Sequence, residues 1–224
     1  MVRAVKGALL ALLVPLALLQ APPAVALGPD PSADRQPWAL MFHGGMQVNF
    51  LEPTPFGEQV AAAGYFFAPI GPSFGVSLQR YVLNWLIVGG TLDARYFSGG
   101  RSDSAILSHR DASSSMGLWR VGGGAYLQPT VCVADGRCVR GGMSLGLQLG
   151  VATGPTFWTY RGGTDVGAHL RLVGAFVWEW SFDATLIGIR VVHEGIWQTG
   201  MGPRSLGHGA SWYPGVDLRV GFRW

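Results

Sequence analysis

Residues 215–224 read GVDLRVGFRW. Val216, Leu218, Val220, Phe222 and Trp224 form one series, and Gly215, Asp217, Arg219, Gly221 and Arg223 the other. A period of two belongs to a strand, so one face of this segment is apolar and the other charged. A soluble barrel or sandwich turns the apolar face inward, whereas a membrane barrel turns it outward to lipid. The fold therefore depends on which solvent that face meets.

Seven earlier segments repeat the pattern. In 37–50, Leu40, Phe42, Met46, Val48 and Phe50 alternate with His43, Gln47 and Asn49. In 73–82, Phe74, Val76, Leu78 and Val82 alternate with Gly75, Ser77, Gln79 and Tyr81, and Arg80 breaks the series. The third segment sets Leu86, Val88, Leu92 and Tyr96 against Thr91, Asp93 and Arg95; the fourth sets Trp119, Val121, Ala125 and Leu127 against Arg120, Tyr126 and Gln128. Met143, Leu145, Leu147, Leu149 and Val151 make the fifth, opposed by Ser144, Gly146, Gln148 and Gly150. In the sixth, Leu170, Leu172, Phe176, Trp178 and Trp180 oppose His169, Arg171 and Glu179; in the seventh, Ile187, Ile189, Val191 and Trp197 oppose Gly188, Arg190 and Glu194. With the tail this makes eight strands.

Loop lengths add a second regularity. The connections at Asn84, at 133–137 and at 181–183 are tight, while those near 51–72, 98–115, 153–166 and 198–211 are long and rich in Pro, Gly and Ser. Alternating short and long connections fit an antiparallel up-and-down barrel with short periplasmic turns and longer outer loops. The stretch VAAAGYFFAPIG in the first long connection leaves ten strands as an alternative to eight.

Composition favours the outward orientation. Hydrophobic residues make up 49% of the 224, charged residues only 13%, against about 25% charged in an ordinary soluble domain. Packed inward, Trp119, Phe176, Trp178, Trp180, Trp197, Phe222 and Trp224 would overfill an eight-stranded barrel, whose interior holds little more than its own side chains. Turned outward, they leave the lumen to small and polar residues and to a charged set. That set is Asp93, Arg95, Arg120, His169, Arg171, Glu179, Arg190, Glu194, Asp217 and Arg219, expected to pair across the interior as a plug. Trp38, Trp85, Trp178, Trp180, Phe222 and Trp224 fall near one end of the strands, and Phe50, Trp197 and Trp212 near the other, as interfacial aromatic belts do.

Residues 1–26 read as a secretory signal: a cationic MVRAVK, an apolar stretch at 7–19, and AVA before Leu27. Those 13 apolar residues fall short of the about 20 that a spanning helix needs. Residues 27–36 form a short leader, and 37–224 the barrel. Of 16 basic residues, Arg3 and Lys6 leave with the signal; 14 then face 13 acidic ones, which gives no nucleic-acid footprint. In an exported chain Cys132 and Cys138, in CVADGRC, are placed to form a disulfide across a hairpin turn.

With its signal, eight alternating segments and the terminal aromatic of DLRVGFRW, the chain resembles the small outer-membrane β-barrels typified by outer membrane protein A and its X-type relatives. The resemblance implies a transmembrane barrel in a Gram-negative outer membrane, in contact with its lipid and lipopolysaccharide. It also implies that Phe222 and Trp224 belong to a tail read by the barrel assembly machinery, with Arg219 where the family often has Gly. A structural or surface-interaction role follows, exercised through outer loops whose partner is unnamed.

No cofactor, metal site or catalytic set is expected: His43 and His169 stand singly, and VGGGAY lacks the helix and Lys-Ser/Thr of a phosphate loop. Three alternatives remain. A lipid A deacylase-like enzyme would use His193, though Gly195 stands where a His-x-Ser motif needs serine and only Ser205 or Ser211 could substitute. The others are a narrow porin-like pore lined by the arginines and a soluble secreted barrel for an apolar ligand.

Overall fold

A computed structural model of the chain describes residues 38–48, 64–83, 85–101, 116–133, 142–160, 163–199 and 209–224. The expected signal and leader, Phe50, Cys138 and Ser205 lie outside these residues. The described chain is all β: β1 (Trp38–Val48), β2 (Tyr65–Phe67), β3 (Ile70–Leu83), β4 (Leu86–Arg101), β5 (Met116–Cys132), β6 (Gly142–Tyr160), β7 (Gly163–Phe182), β8 (Thr185–Gln198) and β9 (Gly209–Arg223). From β3 to β9 each strand pairs antiparallel with the next, β1 pairs with β3, and β9 pairs back with β1. Eight strands therefore close on themselves and leave no barrel edge unpaired. The short β2 pairs with the far end of β4, from Tyr65↔Arg101 to Phe67↔Gly99. It continues the edge of β3 beyond the break at Pro69, so the strand count is eight and not ten.

The register fixes the barrel's geometry. From Phe42 it passes through Val76, Leu92 and Gly123 to Thr153 in one direction. In the other it passes through Val220, Ile187 and Trp180 to Met143. Both walks end on β6 ten residues apart (153 less 143), which is the stagger of the closed sheet. With about 3.3 Å of rise per residue and about 4.8 Å between strands, that stagger tilts the strands by about 40°, so each residue climbs about 2.5 Å along the axis.

Two interruptions in the β5–β6 ladder have a common cause. Pairing lapses between Arg120↔Thr156 and Gly123↔Thr153, beside Pro155, and again between Leu127↔Leu149 and Thr130↔Gly146, beside Pro129. The register is unchanged across both gaps. Proline removes a donor without shifting the strands.

The long outer connections are shorter than the composition suggests. β6 runs to Tyr160 and β7 starts at Gly163, so most of 153–166 is strand; β3 starts at Ile70, β4 runs to Arg101 and β9 starts at Gly209. Thr, Gly and Pro resemble loop residues there, yet Thr153 to Tyr160 retain a partner on β7 at every position. The 19 residues of β6 and 20 of β7 rise about 50 Å, twice the about 25 Å apolar band of an outer-membrane barrel. This hairpin projects well beyond such a band.

Candidate functional site

Alternation decides which side chain faces which medium. Phe176 is 71% exposed, Leu92 64%, Leu218 64% and Phe222 53%, whereas Arg171, Arg219 and Glu194 are each 1% exposed. The wall is apolar outside and charged inside, the reverse of a soluble barrel. The outward aromatics gather at two levels. Trp38, Trp85, Trp180 and Trp224 stand at the end carrying the tight turns, and Tyr96, Trp119, Trp197 and Trp212 toward the other. From Trp224 to Trp212 is twelve residues of β9, about 30 Å along the axis.

The lumen is crossed by charged struts. Arg95 on β4 reaches Glu194 on β8, the strand diametrically opposite: Nη2 donates to Oε1 at 2.5 Å, and Nη1 also pairs with the carboxylate. Arg171 Nη2 donates to both oxygens of Asp93, at 2.7 and 2.9 Å. Arg171–Glu194 at 3.7 Å and Arg95–Asp93 at 3.9 Å complete a square of two cations and two anions. Toward the tight turns, Arg190 donates to Asp217 Oδ2 from Nε (3.0 Å) and Nη2 (2.5 Å), while Ser73 Oγ donates to Oδ1 at 2.7 Å. Lower still, Arg219 faces Glu179 at 3.7 Å and donates to Gln79 Oε1, which also accepts from Tyr126.

Arg120 is held differently. Its Nη2 donates to Gln198 Oε1 at 2.8 Å and to Tyr213 Oη at 2.7 Å, and its guanidinium carbon lies 4.6 Å from the Tyr213 ring centre. His169 meets Thr156 Oγ1 through Nδ1 at 3.0 Å. Gly122 makes room here: a Cβ at that position would come within 3.1 Å of both Arg171 Nη2 and His169 Nε2.

Above this network lies a feature absent from the sequence reading. Phe67, Phe97, Met116, Leu118, Trp158, Ile196 and Tyr213 form an apolar cluster inside the outer mouth, with Trp158 0% exposed. Around it the outward face of β6 and β7 is mixed, with Thr153, Pro155 and Thr159 beside Phe157 and the exposed Val166. Toward this end the inward face is thus apolar, as in a water-facing barrel. The signal was present in the parity: Phe97 shares it with Arg95, Leu118 with Arg120, Ile196 with Glu194.

His193 is exposed on the outer face and stacked on Trp212, with ring centres 5.3 Å apart. Ser211 points into the lumen and donates to Tyr213 Oη at 3.0 Å. The barrel wall separates the two, so Ser211 cannot serve His193 as a nucleophile. Among the described residues, no group of His, Cys, Asp and Glu is arranged to hold a metal ion. Cys132 ends β5 and carries no free thiol.

Fold and polarity together define a closed eight-stranded barrel of the membrane type. No family model matches the sequence, and a search of curated proteins finds no match. Among solved structures, Ail, the attachment invasion locus protein of Yersinia pestis, in complex with the heparin analogue sucrose octasulfate, aligns over 82% of this chain and 98% of its own at 11% identity, TM-score 0.40. The outer membrane protein OprG from Pseudomonas aeruginosa aligns over 85% of this chain and 99% of its own at 9% identity, TM-score 0.42.

Proposed function

We propose that the chain is an integral protein of a bacterial outer membrane, exported by residues 1–26, in which residues 37–224 form a sealed barrel. It acts as a rigid anchor that carries its outer connections and the projecting β6–β7 hairpin for contact with surface partners. The reading rests on one observation: exposed leucine, phenylalanine and tryptophan outside the wall, with paired arginines and carboxylates enclosed within it. In water that arrangement would expose the apolar surface while burying the charge, and both are unfavourable. In hydrocarbon the first penalty disappears, the ion pairs answer the second, and ring closure satisfies the backbone.

In this reading the end with the short turns faces the periplasm, where Phe222 and Trp224 would be read during assembly. A Cys132–Cys138 disulfide would staple the β5–β6 turn at the same end. No enzymatic role is assigned to His193. Membrane fractionation with heat-modifiable gel migration tests the reading. Recovery in the outer-membrane fraction, with a faster-migrating form that shifts on boiling, is expected. A monodisperse protein in detergent-free buffer would overturn it.

A further inference from the structure

Arg95, Arg171, Arg190 and Arg219 each have a carboxylate partner inside the barrel, and the buried carboxylates Asp93, Glu179, Glu194 and Asp217 are all engaged by them. Arg120 has none. It is 1% exposed, and its acceptors are the neutral Gln198 Oε1 and Tyr213 Oη, with the Tyr213 ring beside its guanidinium. A buried cation is costly unless an anion answers it.

The residues around Arg120 close into a ring. Arg120 pairs in register with Thr156 on β6, Thr156 Oγ1 meets His169 Nδ1 at 3.0 Å, His169 pairs in register with Gln198 on β8, and Gln198 Oε1 accepts from Arg120. A guanidinium has no acceptor, so the Gln198 amide turns its oxygen to Arg120 and its Nε2 away. Arg120 Nη1, Gln198 Nε2 and His169 Nε2 are buried and make no hydrogen bond among the described residues. With the Thr156 hydroxyl donating to Nδ1, a neutral imidazole carries its proton on Nε2, and all three are N–H donors. Gly122, two residues along the same inward face from Arg120, leaves His169 Nε2 uncrowded, since a Cβ there would lie 3.1 Å from it. A water would satisfy these donors but needs acceptors for its own hydrogens, and Gln198 Oε1 and Tyr213 Oη each accept two bonds already. An anion needs no acceptor and also balances the charge. We propose that Arg120, Gln198 and His169 bind a small monovalent anion of chloride size, enclosed beneath the Trp158 cluster as the counter-ion of Arg120.

The test uses the full barrel folded in detergent, verified by its heat-dependent gel shift, and titrated with urea at one ionic strength in sodium chloride, sodium bromide or sodium gluconate. Gluconate is too large for an enclosed site. The wild-type unfolding constant is expected to be about tenfold larger in gluconate than in chloride, the factor for a ligand present at about ten times its dissociation constant. Crystals grown in bromide should show an anomalous peak against Arg120 Nη1. Gln198→Glu gives Arg120 a carboxylate of nearly the same shape as the amide, so this variant should fold and lose both the halide dependence and the peak. Arg120→Met, which removes the cation, should lose them as well. Equal wild-type unfolding constants in chloride and gluconate overturn the proposal, as does bromide found only on the outer surface. A halide dependence that persists undiminished in whichever of the two variants folds is equally fatal.

Discussion

Glu194 ties opposite walls of the lumen together, because it meets Arg95 from across the barrel and lies 3.7 Å from Arg171. All three side chains are at most 2% exposed. Removing the carboxylate strands a buried cation, whereas removing a pair together does not. Breaking a buried pair on one side costs about 3–5 kcal/mol, while exchanging both partners for apolar residues of similar volume is often neutral. Urea titrations in vesicles should therefore find Glu194→Leu destabilised on that scale, and the double variant Arg95→Met with Glu194→Leu substantially recovered. A double variant as unstable as the sum of the two single ones would show that the strut contributes nothing as a unit.

Among the described residues, Asp183 of the β7–β8 hairpin is the one non-glycine residue with a positive φ. Phe182 and Thr185 pair directly, so Asp183 and Ala184 form a two-residue turn, and Asp183 takes φ 52°. Aspartate tolerates the left-handed region and a β-branched residue does not. Asp183→Val should cost about 1–2 kcal/mol, and Asp183→Gly should cost nothing measurable, in the same titration. Strand number and facing were legible in the sequence, because period-two patterning is imposed by the medium on each side of the wall. The outer strand ends were not. At Thr153, Pro155 and Thr159 the outward series of leucines is interrupted, which composition alone does not distinguish from a loop, and only the ladder to β7 identifies them as strand. Trp158 was hidden for the same reason: beyond the membrane level its inward parity means an apolar core. The ten lumen residues could be sorted to one face by parity, but which of them meet depends on the stagger of ten residues. That quantity belongs to the closed sheet and to no single strand.

At the scale of the whole molecule, successive levels of the lumen are obstructed: Arg219 with Gln79 and Tyr126, then the square of Arg95, Glu194, Arg171 and Asp93, then the Trp158 cluster. Eight strands leave only enough interior for such filling. Planar-bilayer recordings of the purified protein should be silent, and stepwise unitary currents would contradict a sealed anchor. The struts also bear on how the barrel comes into being. Arg95 and Glu194 are about a hundred residues apart in the chain and on opposite walls, so neither finds its counter-charge until both halves of the ring are present. A lone hairpin entering the bilayer would carry an unmatched arginine or carboxylate through oil, at a cost of about 2–4 kcal/mol for each arginine near the midplane. Piecemeal insertion is thereby discouraged. The chain is suited to cross the membrane as one curled sheet, with its opposite charges already facing each other before the seam closes.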